Sequence, residues 1–418
     1  MSGSGLPALL LCLSVLAVCA CSTGFSGDVL FLNDIHYDPL YVPNSQHQPD
    51  FCRTTRPWLS ADDGSFGRYG CDAPLNLVEA HLSAASAAAP EASLIILNGD
   101  LPAHSLSDYP TQMEAMDMVV TLIRKHWPDT EVLVSIGNND CFPDYYMPVG
   151  PNSRLEDLAT SWDSLLDEAD HATFSKGGYY SRVIGGSRFI VINSVYYSAR
   201  NSGVDTTKVP DPADQIQWIT SELAQARANG ERVSIVSHIP AGVNGYDKSD
   251  QWDGKFTDQF IELMERYSDV VANMFMAHFH QDMFHVLPTS FSDIPGFVAP
   301  GVSPSNYNNP GFRVGTMVHG VMTDYREYYT DLSSAYAANG IVYELLYTFT
   351  DAYRGQYQPT GLGLVDLADD MINDPKVYEE FQAYRTLFYQ GDRVNYSCAS
   401  ILSNQTTFDQ CVYDNPMD

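Results

Sequence analysis

Five times before residue 281 an apolar run leads into one of the patterns D-x-H, G-D, G-N, H or H-x-H, and this repetition restricts the chain to folds that gather strand ends. Val29-Leu30-Phe31-Leu32 runs into Asn33-Asp34-Ile35-His36, and Leu94-Ile95-Ile96-Leu97 into Asn98-Gly99-Asp100. The run from Glu131 leads to Gly137-Asn138-Asn139-Asp140, that from Val233 to Ser237-His238, and that from Val270 to Ala277-His278-Phe279-His280. Short apolar runs bounded by turn residues read as buried strands. Between them, Ala- and Leu-rich or amphipathic stretches predict helices over 76–89, 112–126, 155–169, 211–228 and 256–267, and a further strand over 188–192 ends at Asn193. The alternation predicts an α/β fold with helices packed on sheets. Beyond about residue 328 Tyr and Asp become frequent, with one strand expected over 341–350 and a surface helix over 374–388. The expected organisation is an N-terminal segment over 1–21, a catalytic domain over 25–327 and a small, mostly helical C-terminal subdomain over 328–418.

The strand ends carry the chemistry. Asp34, His36, Asp100, Asn138, His238, His278 and His280 are seven N/O ligands without a thiolate, a set that suits zinc, manganese or iron. With one shared carboxylate they suffice for two ions. If the segment after the first strand stays extended, Asp34 and His36 point to one face and reach one centre. A single His after a strand is ordinarily a satisfied polar residue, and Asp or Asn there is ordinarily turn chemistry. Five such ends in the order D-x-H, G-D, G-N, H and H-x-H are hard to obtain from turn chemistry.

The charge balance narrows the partners. Lys+Arg 22 against Asp+Glu 52 gives −30, which repels nucleic acid and anionic membrane surfaces. Expected partners are small, neutral or metal-bridged, and such a surface suits an acidic medium. Residues 6–20 form an apolar run too short for a comfortable membrane span, with small residues near Ala20, and read as a secretory signal; a retained anchor is the alternative. No later stretch is long and apolar enough to span a bilayer. Cys52 with Cys71 and Cys398 with Cys411 form two local couples fit for an oxidising compartment, leaving Cys141 free or paired otherwise. Asn395 and Asn404 begin glycosylation triplets, expected on the surface of the tail.

The ordered set D-x-H, G-D-x-x-x-H, G-N-x-[DE], H and H-x-H resembles the calcineurin-like metallophosphoesterases. NGDLPAH (Asn98 to His104) is similar to the GDIPAH form of acid sphingomyelinase and its phosphodiesterase relatives, and YGCDAP, SHIPAG and NNPGFRV look like further pieces of that subfamily. The resemblance covers about 29–314. It implies a sandwich of two mixed sheets flanked by helices. It also implies two divalent ions, zinc first and manganese or iron otherwise, with Asp34, His36, Asp100 and His280 on one ion and Asp100, Asn138, His238 and His278 on the other. A hydroxide bridging them would attack phosphorus in line, and His104 would serve as general acid.

One position departs from the family's pattern. Where G-N-H-[DE] has its His, this chain has Asn139, an amide that orients a phosphoryl oxygen but donates no proton as an acid. The GNND form resembles vacuolar endopolyphosphatases, the main alternative, against which stands the acidic balance. No stretch between residue 21 and Asp34 accommodates the saposin-type domain of acid sphingomyelinase. The favoured expectation is therefore a secreted or lysosomal/vacuolar phosphodiesterase acting on soluble phosphodiesters, nucleotides or phosphoanhydrides. A sphingomyelin phosphodiesterase and a degenerate, metal-binding secreted protein are the lesser alternatives.

Overall fold

The computed structural model describes residues 24–43, 45, 51–54, 64–338, 340–385 and 391–416; the expected signal segment lies outside them. Twelve strands are present among these residues: β1 (Gly27–Leu32), β2 (Leu94–Leu97), β3 (Glu131–Val134), β4 (Tyr180–Ile184), β5 (Ser187–Val191), β6 (Arg232–Val236), β7 (Val271–Met276), β8 (Met283–Phe284), β9 (Gly296–Val298), β10 (Gly311–Val318), β11 (Val321–Tyr329) and β12 (Glu344–Thr348). They form two six-stranded mixed sheets, in the orders β12-β11-β10-β1-β2-β3 and β4-β5-β6-β7-β9-β8. Helices flank both sheets, so this is the two-sheet α/β sandwich expected.

Each sheet has a parallel centre. β1, β2 and β3 run parallel, as do β5, β6, β7 and β9. Val29 to Leu32 and all of β2 are buried, the unbroken apolar pattern of strands covered on both faces. Cover comes from amphipathic helices. Leu77, Val78, His81, Leu82 and Ala85 form the buried stripe of Leu75–Ala88. The helix Tyr109–His126 begins at Asp108, whose side chain accepts from the Thr111 backbone N–H, and ends in Arg124, Lys125 and His126, the charge order its dipole favours.

Three local expectations change. The helix over 155–169 is shorter, Ser153–Ser161, with a separate His171–Gly177. Between them the Arg182 guanidinium donates to the Leu165 carbonyl at 2.8 Å and to the Asp170 carboxylate, taking backbone that a continuous helix would use. The helix over 374–388 is Pro375–Tyr384, capped by Asp374. The hairpin β10–β11 has no counterpart in the sequence reading; its turn, His319-Gly320, has positive φ at both residues, as a type I′ two-residue loop requires.

The expected boundary at 327/328 falls inside β11, and β12 pairs with β11 beyond it. Helices then dominate through Gln405–Asp414; Tyr347, Phe349, Leu367, Met371, Phe381 and Leu402 belong to the same hydrophobic core as β1 and β2, whereas Val394, Cys398, Ala399 and Phe408 form a second cluster with Val243. Cys52–Cys71 and Cys398–Cys411 are disulfides, and Cys141 is buried and unpaired. Asn395 is not at the surface: it is 6% exposed on the helix Arg393–Ser400, with Ser397 fully buried, so a glycan has no room there. Asn404 is half-buried and caps the helix Gln405–Asp414. No helix among the described residues is long and apolar enough to cross a membrane.

Candidate metal centre

All seven residues proposed from the strand ends lie just beyond a strand's carboxyl end: Asp34 and His36 after β1, Asp100 after β2, Asn138 after β3, His238 after β6, His278 and His280 after β7. The structure brings them together. His36 Nε2 lies 3.1 Å from His280 Nε2 and 3.4 Å from Asp100 Oδ2, and His280 Nε2 lies 3.7 Å from Asp34 Oδ1. On the other side His238 Nε2 lies 3.1 Å from Asn138 Oδ1 and 3.3 Å from Asp100 Oδ2. Candidate donor atoms of Asp100, His238 and His278, and those of Asp34, His36 and Asp100, each fall within 4.8 Å of one another, so Asp100 belongs to both groups.

The backbone is not as expected. Asp34 and His36 have φ of 46° and 44°, so the Asp-x-His segment is left-handed at both ligand-type positions rather than extended. Asp100, His278 and His280 share this conformation, at 56°, 77° and 58°. Each such non-glycine residue costs on the order of 1–3 kcal/mol and persists only where its surroundings over-determine it. Here they do. The backbone N–H of Asp34 donates to the Gly99 carbonyl, that of His36 to Asp100 and that of Tyr37 to Leu101, carrying the β1–β2 pairing past the strand ends. Asp140 ties the next two loops: its carboxylate accepts from the backbone N–H of Asp100, Leu101 and Gly137 at 2.9, 3.0 and 2.7 Å. A Cβ on Gly99 would sit 2.6 Å from the Gly137 nitrogen, and one on Gly137 would overlap the Asp100 carboxylate, so both glycines are needed for the loops to meet.

Ring tautomers test whether a cation fits. His36 Nδ1 donates to the Pro102 carbonyl at 3.1 Å, His280 Nδ1 to the Ser303 carbonyl at 3.2 Å and His238 Nδ1 to the Asn98 carbonyl at 2.7 Å. A carbonyl only accepts, so each neutral ring turns the lone pair of Nε2 inward. Two imidazole lone pairs 3.1 Å apart, with two carboxylates beside them, repel unless positive charge lies among them. Backbone carbonyls that fix the far ring nitrogen are also what metal-binding imidazoles use. Among the described residues His278 Nδ1 has no hydrogen-bond partner, although it is buried.

The charges tell the same story. Burial, with Asp100 adding to it, pushes Asp34 up to about 8. Burial would raise Asp100 too, but His238 and the other imidazoles hold it well below the carboxylate range. Burial would lower His238, yet Asp100 outweighs it and the ring is pushed up to about 9. Burial pushes His36 and His278 well down and His280 to about 4. In this set only His238 is driven to take a proton, by Asp100, while the other three rings stay neutral; divalent cations would supply that positive charge in its place, and the residues fit the metals.

His104 sits at the edge of the group, its ring stacked on His36 at 4.0 Å and 28% exposed. The residue that holds it escaped the sequence reading. Asp72 accepts from His104 Nδ1 at 2.9 Å and from its backbone N–H at 2.8 Å, and Ser303 Oγ donates to the same carboxylate at 2.8 Å. Burial would lower His104, but Asp72 wins and raises it to about 9. A second hand comes from Arg53, which donates to the His104 and Ser105 carbonyls at 2.7 and 3.0 Å. Asp72 lies within YGCDAP, the only sequence signal that could have found it. Asn139 Nδ2 donates to Asp100 Oδ2 and its backbone N–H to Asp100 Oδ1, both at 2.7 Å, so it orients the shared carboxylate.

A cleft of about 600 Å³ opens over this floor, lined by Asp100, Asn138, His278, His280 and His104 below and by Asp144, Tyr145, Arg200, Tyr246 and Tyr307 on its walls. Tyr145 and Arg200 were not singled out in the sequence, where nothing local marks them.

Comparison with known proteins adds three relatives and a family. The model for the calcineurin-like phosphoesterase family matches residues 27–282. The chain is 27% identical over 396 residues to acid sphingomyelinase-like phosphodiesterase 3b of Homo sapiens, covering 89% of this chain and 86% of that one. It is 30% identical over 359 residues to cyclic GMP-AMP phosphodiesterase SMPDL3A of Rattus norvegicus, covering 80% and 79%. To sphingomyelinase phosphodiesterase C of Dictyostelium discoideum it is 27% identical over 353 residues, covering 79% and 78%.

Proposed function

We propose, since this chain belongs to the calcineurin-like phosphoesterase family and is a metal-dependent phosphodiesterase, that it is an exported dimetal enzyme of the acid sphingomyelinase-like type, acting on small soluble phosphodiesters or phosphoanhydrides. Asp34, His36, Asp100 and His280 hold one ion, and Asp100, Asn138, His238 and His278 the other. When bound, such a pair activates water and neutralises phosphoryl oxygens. The observation that carries this reading is the inward facing of the His36 and His280 lone pairs, 3.1 Å apart, with both Nδ1 atoms committed to backbone carbonyls.

The protein's own groups do the rest. Asp72 fixes the His104 ring with Nδ1 toward itself, and His104 delivers a proton to the departing oxygen. Asn139 and Asp140 keep Asp100 and its loop in place. Export is supported by the apolar run over 6–20 and by two disulfides. An endopolyphosphatase needs a basic channel, whereas among the described residues lining the cleft Arg200 is the one Lys or Arg.

Turnover of bis-(p-nitrophenyl) phosphate at pH 5 and 7.5, with and without chelator, tests the reading. Activity that chelator abolishes and divalent metal restores is expected. Absence of metal-dependent turnover at both pH values refutes it.

A further inference from the structure

The cleft over the candidate metal centre is bipolar. Asp144 flanks the His104 side, where its carboxylate accepts from the Ser105 backbone N–H at 3.3 Å. Arg200 flanks the His278 side. In a chain of −30, its guanidinium has no carboxylate partner among the described residues. It lies instead 4.1 Å over the Tyr145 ring and donates from Nη1 to the Tyr145 hydroxyl at 2.9 Å. Stacking and one hydrogen bond fix its plane and leave most of its five N–H donors free.

The mount is built, not incidental. Tyr145 is buried, has φ of 63°, and donates its backbone N–H to the Asn138 carbonyl at 2.9 Å. Its ring meets His278 edge-on at 6.3 Å. The neighbouring Asn201, also buried, locks the two loops: its Oδ1 accepts from the Met147 backbone N–H and its Nδ2 donates to the Met147 carbonyl, both at 3.2 Å. The guanidinium of Arg200, itself an exposed residue, is thereby seated on the ring whose loop is bonded to Asn138 and whose edge meets His278. A planar fork stacked on a buried ring beside a phosphoryl site matches a second phosphate.

We propose that Arg200 recognises a second anionic group next to the reacting phosphoryl, so that this cleft favours ligands carrying a diphosphate unit over those with one phosphorus. The proposal rests on the dimetal reading above and names its substrate class. Calorimetric titration of the zinc-loaded chain with methylenediphosphonate and methylphosphonate tests it. The wild type binds the diphosphonate more tightly, R200A loses about ten- to hundredfold of that affinity, and loss on the monophosphonate is severalfold smaller. R200K, which keeps the charge without the stacked fork, recovers part. Competition by adenosine triphosphate and by inorganic tripolyphosphate separates a nucleotide from a bare phosphate chain as the source; competition by neither overturns the proposal. So does equal loss on both phosphonates, the mark of a merely structural role, or no loss on either. Wild-type turnover of bis-(p-nitrophenyl) phosphate separates the two failures. With it intact, absence of a diphosphonate preference sinks Arg200 alone; without it and without phosphonate binding, both fall.

Discussion

Two buried charged clusters meet at the loop after β7, two residues apart, and are completed by different means. His280 belongs to the candidate metal centre, whereas Asp282 accepts from Arg313, which also donates from Nε to Glu327 at 2.9 Å and stacks 4.1 Å over Tyr325. The Tyr347 hydroxyl donates to Asp282 as well. Burial would lower Arg313, but Asp282 and Glu327 hold it above its ordinary value, while burial keeps Glu327 well up. This cluster carries its own cation and ties β10, β11 and β12 to the loop. The other cluster converges acceptors and has no Lys or Arg among the seven. The same burial therefore yields a structural joint in one place and a metal site in the other, depending on who supplies the positive charge.

That contrast can be broken experimentally. Asp100→Asn keeps the shape and removes the shared charge; kcat/KM should fall about a thousandfold or more, with bound metal falling alongside. Full activity and metal content in this variant would end the dimetal account. Arg313→Met leaves Asp282 and Glu327 buried without their partner and should cost about 3–5 kcal/mol in urea unfolding. Added zinc should restore none of it, and recovery by zinc would show the two clusters to be one. His104→Ala tests the edge of the metal cluster: turnover of alkyl esters should drop about a hundredfold and that of p-nitrophenyl esters far less, with metal content retained. Equal, small losses on both would remove His104 as the proton donor.

The smallest effect sharpens the comparison with a third solution, a buried polar group that stays neutral. His81 is fully buried, with Nδ1 2.9 Å from the Tyr343 hydroxyl, and burial pushes it down to about 3. Its folded value is depressed, so the unfolded chain takes the proton first; the stability is full above about 6.5 and drains as pH falls toward 3. At pH 5 the drain is about 2 kcal/mol. His81→Gln should flatten the loss of unfolding free energy between pH 7.5 and 5, and an unchanged slope would refute the assignment. The acidic surface that suits low pH is thus opposed by its interior.

What the sequence reveals follows from locality. The convergence of the seven strand-end residues was legible because each sits beside a strand that announces itself. The left-handed turn at Asp34 and His36 was not, since it depends on backbone bonds to Gly99 and Asp100, far along the chain. Asp72 finds His104 across 32 positions, and Arg200 finds Tyr145 across 55. The β10–β11 hairpin hid for a different reason: Arg313 and Glu327 face the interior, so alternation of polar and apolar residues gives the wrong inside face.

The disulfide Cys52–Cys71 joins the two residues that hold His104, for Arg53 follows one cysteine and Asp72 the other. The seven strand-end residues sit on other segments, and among the described residues their one direct backbone link to this segment is the Ala73 N–H, which donates to the His36 carbonyl at 3.1 Å. In a thiol-rich medium His104, the proposed proton donor, would lose the bond that joins its two holders. For an exported chain, as proposed above, oxidation of these two cysteines would be the step that completes the seat of His104.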